Sequence, residues 1–163
     1  MRGELLPAGL RFRHPAVLVA TFFGAGLSPI APGTVGSLAA LPFAWVLLIS
    51  GGRPVLLGAL IAAFLWGLWA VRVYAAHTQS DDPLSIVIDE VVGQWIALLA
   101  APVNLVGFAI AFFAFRAYDI LKPWPANAID RKLKNAWGIM LDDVLAGLYA
   151  GIVVFLVDYW ILT

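Results

Sequence analysis

Cysteine is absent from this chain of 163 residues. That excludes disulfides, thiolate metal sites and any mechanism built on a cysteine nucleophile. Charge is nearly as scarce: Asp, Glu, Lys and Arg make up 12% of the residues, against about 25% in soluble domains. The ten acidic and ten basic side chains cancel, so the balance carries no nucleic-acid footprint. Histidine occurs only at His14 and His77, and His77 lies in the polar stretch Arg72–Ser80, where a surface role is expected. Strictly alternating apolar and polar segments are missing, which argues against a membrane β-barrel. No repeat or low-complexity tract is present. What the chain has in excess is apolar surface: 63% of residues are hydrophobic, against about 45–50% in typical domains. One membrane-embedded domain over residues 1–163 is expected, with residues 1–14 as a flexible N-terminus.

The apolar residues come in runs. Ala16–Leu27 follows Arg2, Arg11 and Arg13, and Gly24-Ala25-Gly26 imitates a signal-peptide cleavage site. Glu4 and Pro7 interrupt the charged region, however, and the run leads into a Pro/Gly-rich loop. It is also too short to cross about 30 Å of hydrocarbon, so a half-buried, re-entrant or interfacial helix is the better reading. Five longer blocks follow: Gly36–Ser50, closed by Gly51-Gly52-Arg53-Pro54; Val55–Val71; Leu84–Ala101; Leu105–Leu121, ended by Lys122-Pro123-Trp124-Pro125; and Gly138–Leu162, whose first turn is polar. Spanning segments must satisfy their own backbone hydrogen bonds, so the blocks read as helices. The expected fold is an all-α integral membrane protein with about four transmembrane helices plus the short N-terminal helix.

Threading the spans alternately puts Arg2, Arg11, Arg13, Arg72, Lys122, Arg131, Lys132 and Lys134 on one side and only Arg53 on the other. The positive side is expected to be cytoplasmic. The same threading brings Asp89, Glu90, Asp119, Asp142 and Asp143, from three helices, to a similar depth on that side, and leaves out Asp158. An ionised side chain at mid-membrane costs roughly 2.5–3.5 kcal/mol even on the lenient insertion scale. Clustered carboxylates near an apolar phase need a cation, and hard oxygen ligands suit Mg²⁺.

Two further segments bear on an anion. In Ser28-Pro29-Ile30-Ala31-Pro32-Gly33-Thr34-Val35-Gly36-Ser37 a turn at Pro32-Gly33 enters a helix. Thr34 or Ser37 is then either a plain helix cap or part of an amide cradle for phosphate. Arg116, Asp119 and Lys122 stand at i, i+3 and i+6, on one side of a helix. Arg116 and Lys122 suit a phosphate, with Asp119 beside the metal carboxylates; a snorkelling lysine and a neutralising arginine are the plainer readings. Acidic residues in a first helical turn favour the helix dipole, which explains one of Asp142 and Asp143 but not both. Asp81-Asp82-Pro83 reads as a solvated cap. Trp124, Trp137 and Trp160 read as an interfacial aromatic belt.

Four stretches together carry a resemblance. Pro32-Gly33-Thr34-Val35-Gly36-Ser37, Ile88-Asp89-Glu90-Val91-Val92-Gly93-Gln94, Phe115-Arg116-Ala117-Tyr118-Asp119-Ile120-Leu121-Lys122-Pro123-Trp124-Pro125 and Gly138-Ile139-Met140-Leu141-Asp142-Asp143-Val144-Leu145-Ala146-Gly147 resemble bacterial phosphatidylglycerophosphatase A in content, order and spacing. The likeness covers nearly the whole chain from about residue 15, with Tyr118 where the family often has Phe. It implies a Mg²⁺-dependent, multi-pass enzyme of the bacterial inner membrane, its active site facing the cytoplasm. Such an enzyme converts phosphatidylglycerophosphate to phosphatidylglycerol in phospholipid biosynthesis.

Other phosphatase chemistries lack their residues: there is no cysteine, no Asp-x-Asp and no pair of neighbouring histidines. Metal-assisted hydrolysis remains. On this reading Asp89, Glu90, Asp142 and Asp143 hold one or two Mg²⁺ ions, with Asp119 as a ligand or just outside them. Arg116 and Lys122, helped by amides around Gly33, Thr34, Gly36 and Ser37, bind the phosphoryl oxygens. One carboxylate, Glu90 among the candidates, accepts the proton of water. The alternative from another class is an ion-coupled transporter or channel using intramembrane carboxylates; it leaves the clustering at one leaflet and the accompanying Arg116 and Lys122 unexplained. Gly147 and Gly151 are expected to face a partner helix in this chain or in another copy.

Overall fold

The first short helix, α1 (Pro15–Ala20), starts where proline is best tolerated, at the first helical position, and His14 Nδ1 accepts the Ala16 amide at 3.2 Å. This computed structural model describes residues 6, 9–78 and 83–162. Arg2, Glu4, Pro7, Ser80, Asp81 and Asp82, and with them the expected Asp81-Asp82 cap, lie outside the described residues. The helix expected over Ala16–Leu27 does not run through. Phe22, Phe23 and Gly24 all take positive φ (43°, 57° and 98°), which a right-handed helix cannot accommodate. A single 3₁₀ turn, Ala25–Leu27, follows. Ala16, Val17 and Ala20 are fully buried against the rest of the protein, so α1 is a core element rather than an interfacial one.

Helix α2 (Pro32–Ala75) has 44 residues, which would extend about 66 Å if straight. It is not straight. Gly52, at φ 70° and ψ −164°, occupies backbone space open essentially to glycine alone. Phe43 and Leu47 before it line the same cavity as Ala59 and Ala63 after it. The run therefore folds back into two arms of about 30 Å each, with Pro54 in the opening turn of the second. The blocks Gly36–Ser50 and Val55–Val71 are the middles of these arms. Arg53 ties the hairpin tip to the end of the next helix, donating from Nε to Leu99 O at 2.9 Å and from Nη2 to Ala101 O at 3.5 Å.

That next helix, α3 (Ile88–Leu99), has 12 residues, about 18 Å. It is too short to span a bilayer, which corrects the reading of Leu84–Ala101 as a continuous membrane helix. Residues 84–87 are instead a loop, fastened by the Val87 amide to Ala20 O at 2.8 Å. Ile88, Val91, Val92, Trp95, Ala97 and Leu98 are buried, so α3 is the central rod around which the other helices pack.

Helix α4 (Leu105–Leu121) is capped by Asn104, which accepts the Gly107 amide at 2.8 Å. It stops at Lys122, left-handed at φ 41°, ahead of Pro123. A short helix that was not expected, α5 (Ala126–Lys132), crosses to α6 (Ala136–Val157), and a π turn over Asp158–Leu162 closes the described chain. Asn135 caps α6 by accepting the Trp137 and Gly138 amides at 2.9 and 3.2 Å. Because α6 begins at Ala136 rather than Gly138, Asp142 and Asp143 lie beyond its first turn, and the helix dipole does not account for them. Trp124, Trp137 and Trp160 are exposed, as an aromatic belt requires. Among the described residues every regular element is helical, and two runs are long and apolar enough to cross a membrane, Pro32–Ala75 and Ala136–Trp160.

One close contact decides where the acidic residues meet. A Cβ placed on Gly147 would strike the backbone of Gly93, and one placed on Gly93 would strike Phe115 and the carbonyl of Asp143. With hydrogens there instead, α3 and α6 approach backbone to backbone. Glu90 lies one turn before Gly93 and Asp143 one turn before Gly147, so this contact draws the two carboxylates together.

Candidate active site

At the end of the bundle away from Gly52, a cavity of about 380 Å³ opens between the start of α2, the start of α3, the end of α4 and the second turn of α6. All five expected carboxylates line it: Asp89, Glu90, Asp119, Asp142 and Asp143. So do Arg116, Lys122, Gly33 and Thr34. The carboxylates divide into two kinds. Oxygens of Asp89, Glu90 and Asp143 lie within 4.8 Å of one another. Asp119 instead holds Arg116, Oδ2 to Nη1 at 2.7 Å, and Asp142 holds Lys122, Oδ2 to Nζ at 2.5 Å.

Asp89 and Asp142 play the same local part on their two helices. Each Oδ1 accepts the amide of the following residue at 3.0 Å, Glu90 in one case and Asp143 in the other, which fixes the aspartate rotamer; on Asp142 the second oxygen is the one that holds Lys122. Charge is unbalanced here. Five carboxylates against Arg116, Lys122 and Lys134 leave a formal excess of two negative charges along the lining. Like charges this close repel strongly at low dielectric.

The Asp89–Glu90–Asp143 cluster fits a hard divalent cation on its own chemistry. Three oxygen donors converge, and Glu90 Oε2 is buried with no hydrogen-bond partner among the described residues, which is costly unless something occupies it. Gly33 shapes the opposite wall: any side chain there would run into the Glu90 carboxylate and crowd Arg116 Nη2.

The two anion-binding segments resolve differently from expectation. Neither Thr34 nor Ser37 caps a helix; α2 starts at Pro32 behind Ala31, with no side-chain cap. The amides of Gly33 and Thr34, in the first turn and facing the cavity, have no carbonyl a turn behind them in the helix. Gly36 and Ser37 do not reach the cavity. Gly36 is buried against Val87. Ser37 is fully buried, donates to Gly33 O at 3.0 Å and accepts from Arg116 Nη1 at 3.2 Å; it steadies the arginine from behind. The physical reason is helical geometry: by the second turn a side chain points a full turn away from the N-terminal amides.

Lys134, counted only in the basic bias, and Gln94, present only within a motif, were assigned no role at the site. Lys134 is exposed at the cavity rim, in a basic run whose spacing gives no hint of a site. Gln94 is fully buried one turn beyond Glu90, with neither amide atom partnered among the described residues. A glutamine one turn beyond the acidic pair, in the apolar remainder of the helix, was the available signal. His77, by contrast, is exposed, its Nδ1 2.8 Å from Val73 O, as expected.

Comparison with known proteins now bears on this cavity. A family model described as phosphatidylglycerophosphatase A matches residues 18–158. A phosphatidylglycerophosphatase A from Haemophilus influenzae is 45% identical over 150 residues, covering 91% of this chain and 92% of its own. One from Escherichia coli is 43% identical over 164 residues, covering 96% and 92%. A putative phosphatidylinositol-3-phosphatase from Bacteroides thetaiotaomicron is 40% identical over 152 residues, covering 85% and 90%. No solved structure matches the chain.

Proposed function

The chain belongs to the phosphatidylglycerophosphatase A family, and from that premise we propose that it removes the terminal phosphate of phosphatidylglycerophosphate to leave phosphatidylglycerol, with Mg²⁺ held by Asp89, Glu90 and Asp143. The observation that carries this reading is the cavity itself: three converging carboxylates beside two cationic side chains, each already held by its own aspartate. Both the phosphatidylglycerophosphate and the phosphatidylinositol-3-phosphate names among the relatives describe phosphomonoesters on a phospholipid. That chemistry needs cations for the phosphoryl oxygens and a place for water. An ion pathway has no use for Arg116 and Lys122 at the carboxylates.

Bound Mg²⁺ would stabilise charge on the phosphoryl group and make a nearby water more acidic. The chain's residues do the rest. Arg116 and Lys122 hold phosphoryl oxygens, and the amides of Gly33 and Thr34 add donors at a helix N-terminus. Asp119 and Asp142 are positioning residues, keeping the two cations aimed into the cavity. Glu90 accepts a proton from the attacking water and returns it to the glycerol oxygen as the bond from phosphorus to that oxygen breaks and the lipid alcohol leaves.

We read the two arms of α2, α4 and α6 as membrane-spanning, while α3 and its flanking loops, enclosed among them, carry the chain from the cavity end to the Arg53 tip. Arg72 lies 6.0 Å from the ring of Trp137 at the cavity end, whereas Arg53 sits at the opposite tip. The basic bias supports a cavity at the cytoplasmic face of a bacterial inner membrane.

Two measurements check this. Full-length protein in detergent should release phosphate from phosphatidylglycerophosphate with Mg²⁺ and lose essentially all release in EDTA, recovering when Mg²⁺ is restored. Release indifferent to EDTA would remove the metal from the scheme. Secondly, Lys122→Met should lower kcat/KM by about 10²-fold. The double variant Lys122→Met/Asp142→Asn should cost far less than the product of the two single losses, because the aspartate acts through the lysine. Simple additivity would mean that Asp142 acts independently, for instance on metal.

A further inference from the structure

A second cavity, about 670 Å³, lies between the arms of α2 and is closed at its sides by α1 and α3. Every lining residue is apolar or aromatic, from Phe43 and Leu47 on one arm to Ala59, Ala63 and Trp66 on the other. The indole N–H of Trp95, also in the lining, is already donated to Ala40 O at 2.9 Å. Apart from the indole of Trp66, no side chain in the lining has a polar atom left to offer water. We propose that it holds one acyl chain of the same phospholipid whose phosphorylated head group occupies the acidic cavity; the inference rests on the lipid-phosphatase reading above and assigns the substrate's tail.

The occupant follows from where the groove lies. It is formed by a helical hairpin of membrane-spanning length and apolarity. An unfilled apolar hollow forfeits dispersion contacts along its whole lining, and the hydrocarbon that surrounds such a hairpin consists of acyl chains. Its position relative to the acids then selects which lipid. Ile88 stands on the groove wall, and the next residue, Asp89, lines the acidic cavity. On the first arm of α2 the acidic cavity takes Pro32, Gly33 and Thr34, while the groove takes Pro42, Phe43, Val46 and Leu47. The groove thus begins about 12 Å further along the same helix, away from the basic end. A phospholipid monoester has this layout: a charged head at the interface and a chain running inward from it.

The test uses full-length protein in phosphatidylcholine vesicles and a phosphonate analogue of phosphatidylglycerophosphate, which cannot be hydrolysed, carrying a diazirine in one acyl chain. Irradiation should label peptides containing residues 42–47 and 59–66. Excess phosphatidic acid should displace that label and excess phosphatidylcholine should not. Labelling spread over the exposed faces of α4 and α6, or label at the groove that phosphatidic acid does not displace, would overturn the proposal. Ala63→Phe, which fills the groove, should remove the displaceable label and raise KM for long-chain substrate by about tenfold. Wild-type protein that shows displaceable groove label but releases no phosphate would sink the reaction and leave the lipid site standing; phosphate release without groove label does the reverse.

Discussion

Glu90→Gln is expected to lower phosphate release by about 10³-fold or more at saturating Mg²⁺. The side chain keeps its length and volume, so packing against Gly33 is preserved and the loss reports chemistry. Two effects add. The amide nitrogen cannot donate electron density to a hard cation as a carboxylate oxygen does, and the buried Oε2 position, which has no other partner among the described residues, can no longer take a proton. A Mg²⁺ titration of the purified variant separates them. A weakened site alone is rescued by more Mg²⁺, whereas loss of the proton acceptor persists at any concentration. A variant that melts like wild type and hydrolyses substrate at the wild-type rate would falsify the assignment of Glu90. Asp143→Asn, in the same cluster across the α3–α6 contact, should fall into the rescuable class.

Gly147→Val is expected to cost activity on a comparable scale, at least about 10²-fold, from a residue that touches no substrate. Any Cβ at this position meets the backbone of Gly93, and backbone on a packed central helix cannot retreat cheaply. The helices must separate, and Asp143 moves away from Asp89 and Glu90. Gly151 is one turn further along α6 and supplies the control. Its nearest neighbours lie at 3.7 Å or beyond, an ordinary contact, so Gly151→Ala should leave phosphate release within about twofold and the melting temperature nearly unchanged. Equal tolerance at both positions would mean that the backbone contact does not set the geometry of the carboxylates. Thermal melting in the same detergent should also fall for Gly147→Val and not for Gly151→Ala.

The two glycines show where sequence reading stops. Both stand on one helix at small-residue spacing, and both suit a helix interface; only the neighbouring backbone tells them apart. The same limit applies to α3. Leu84–Ala101 has the apolarity of a membrane span, and an apolar residue reads alike whether it faces lipid or protein. Its short helix and its loop from Leu84 to Val87 follow from contacts with Ala20, Gly36 and Gly67, residues up to dozens of positions away. The hairpin at Gly52, by contrast, was legible as Gly51-Gly52-Arg53-Pro54, because backbone freedom and proline geometry are local properties.

For the site, the residue types were readable and their pairing was not. Carboxylates and cations set in apolar stretches announce themselves through their cost in an apolar phase, and their order along the chain already indicates the family. Which carboxylates would share a cation and which would hold a cation-bearing side chain depends on side-chain directions from three helices meeting at one depth. Composition and local breaks determine an all-helical chain with runs apolar enough to cross a membrane, since hydrophobic burial and proline and glycine geometry act residue by residue. Tertiary structure alone divides Asp89, Glu90 and Asp143 from Asp119 and Asp142, because that division is set by ångström distances between helices that only packing fixes.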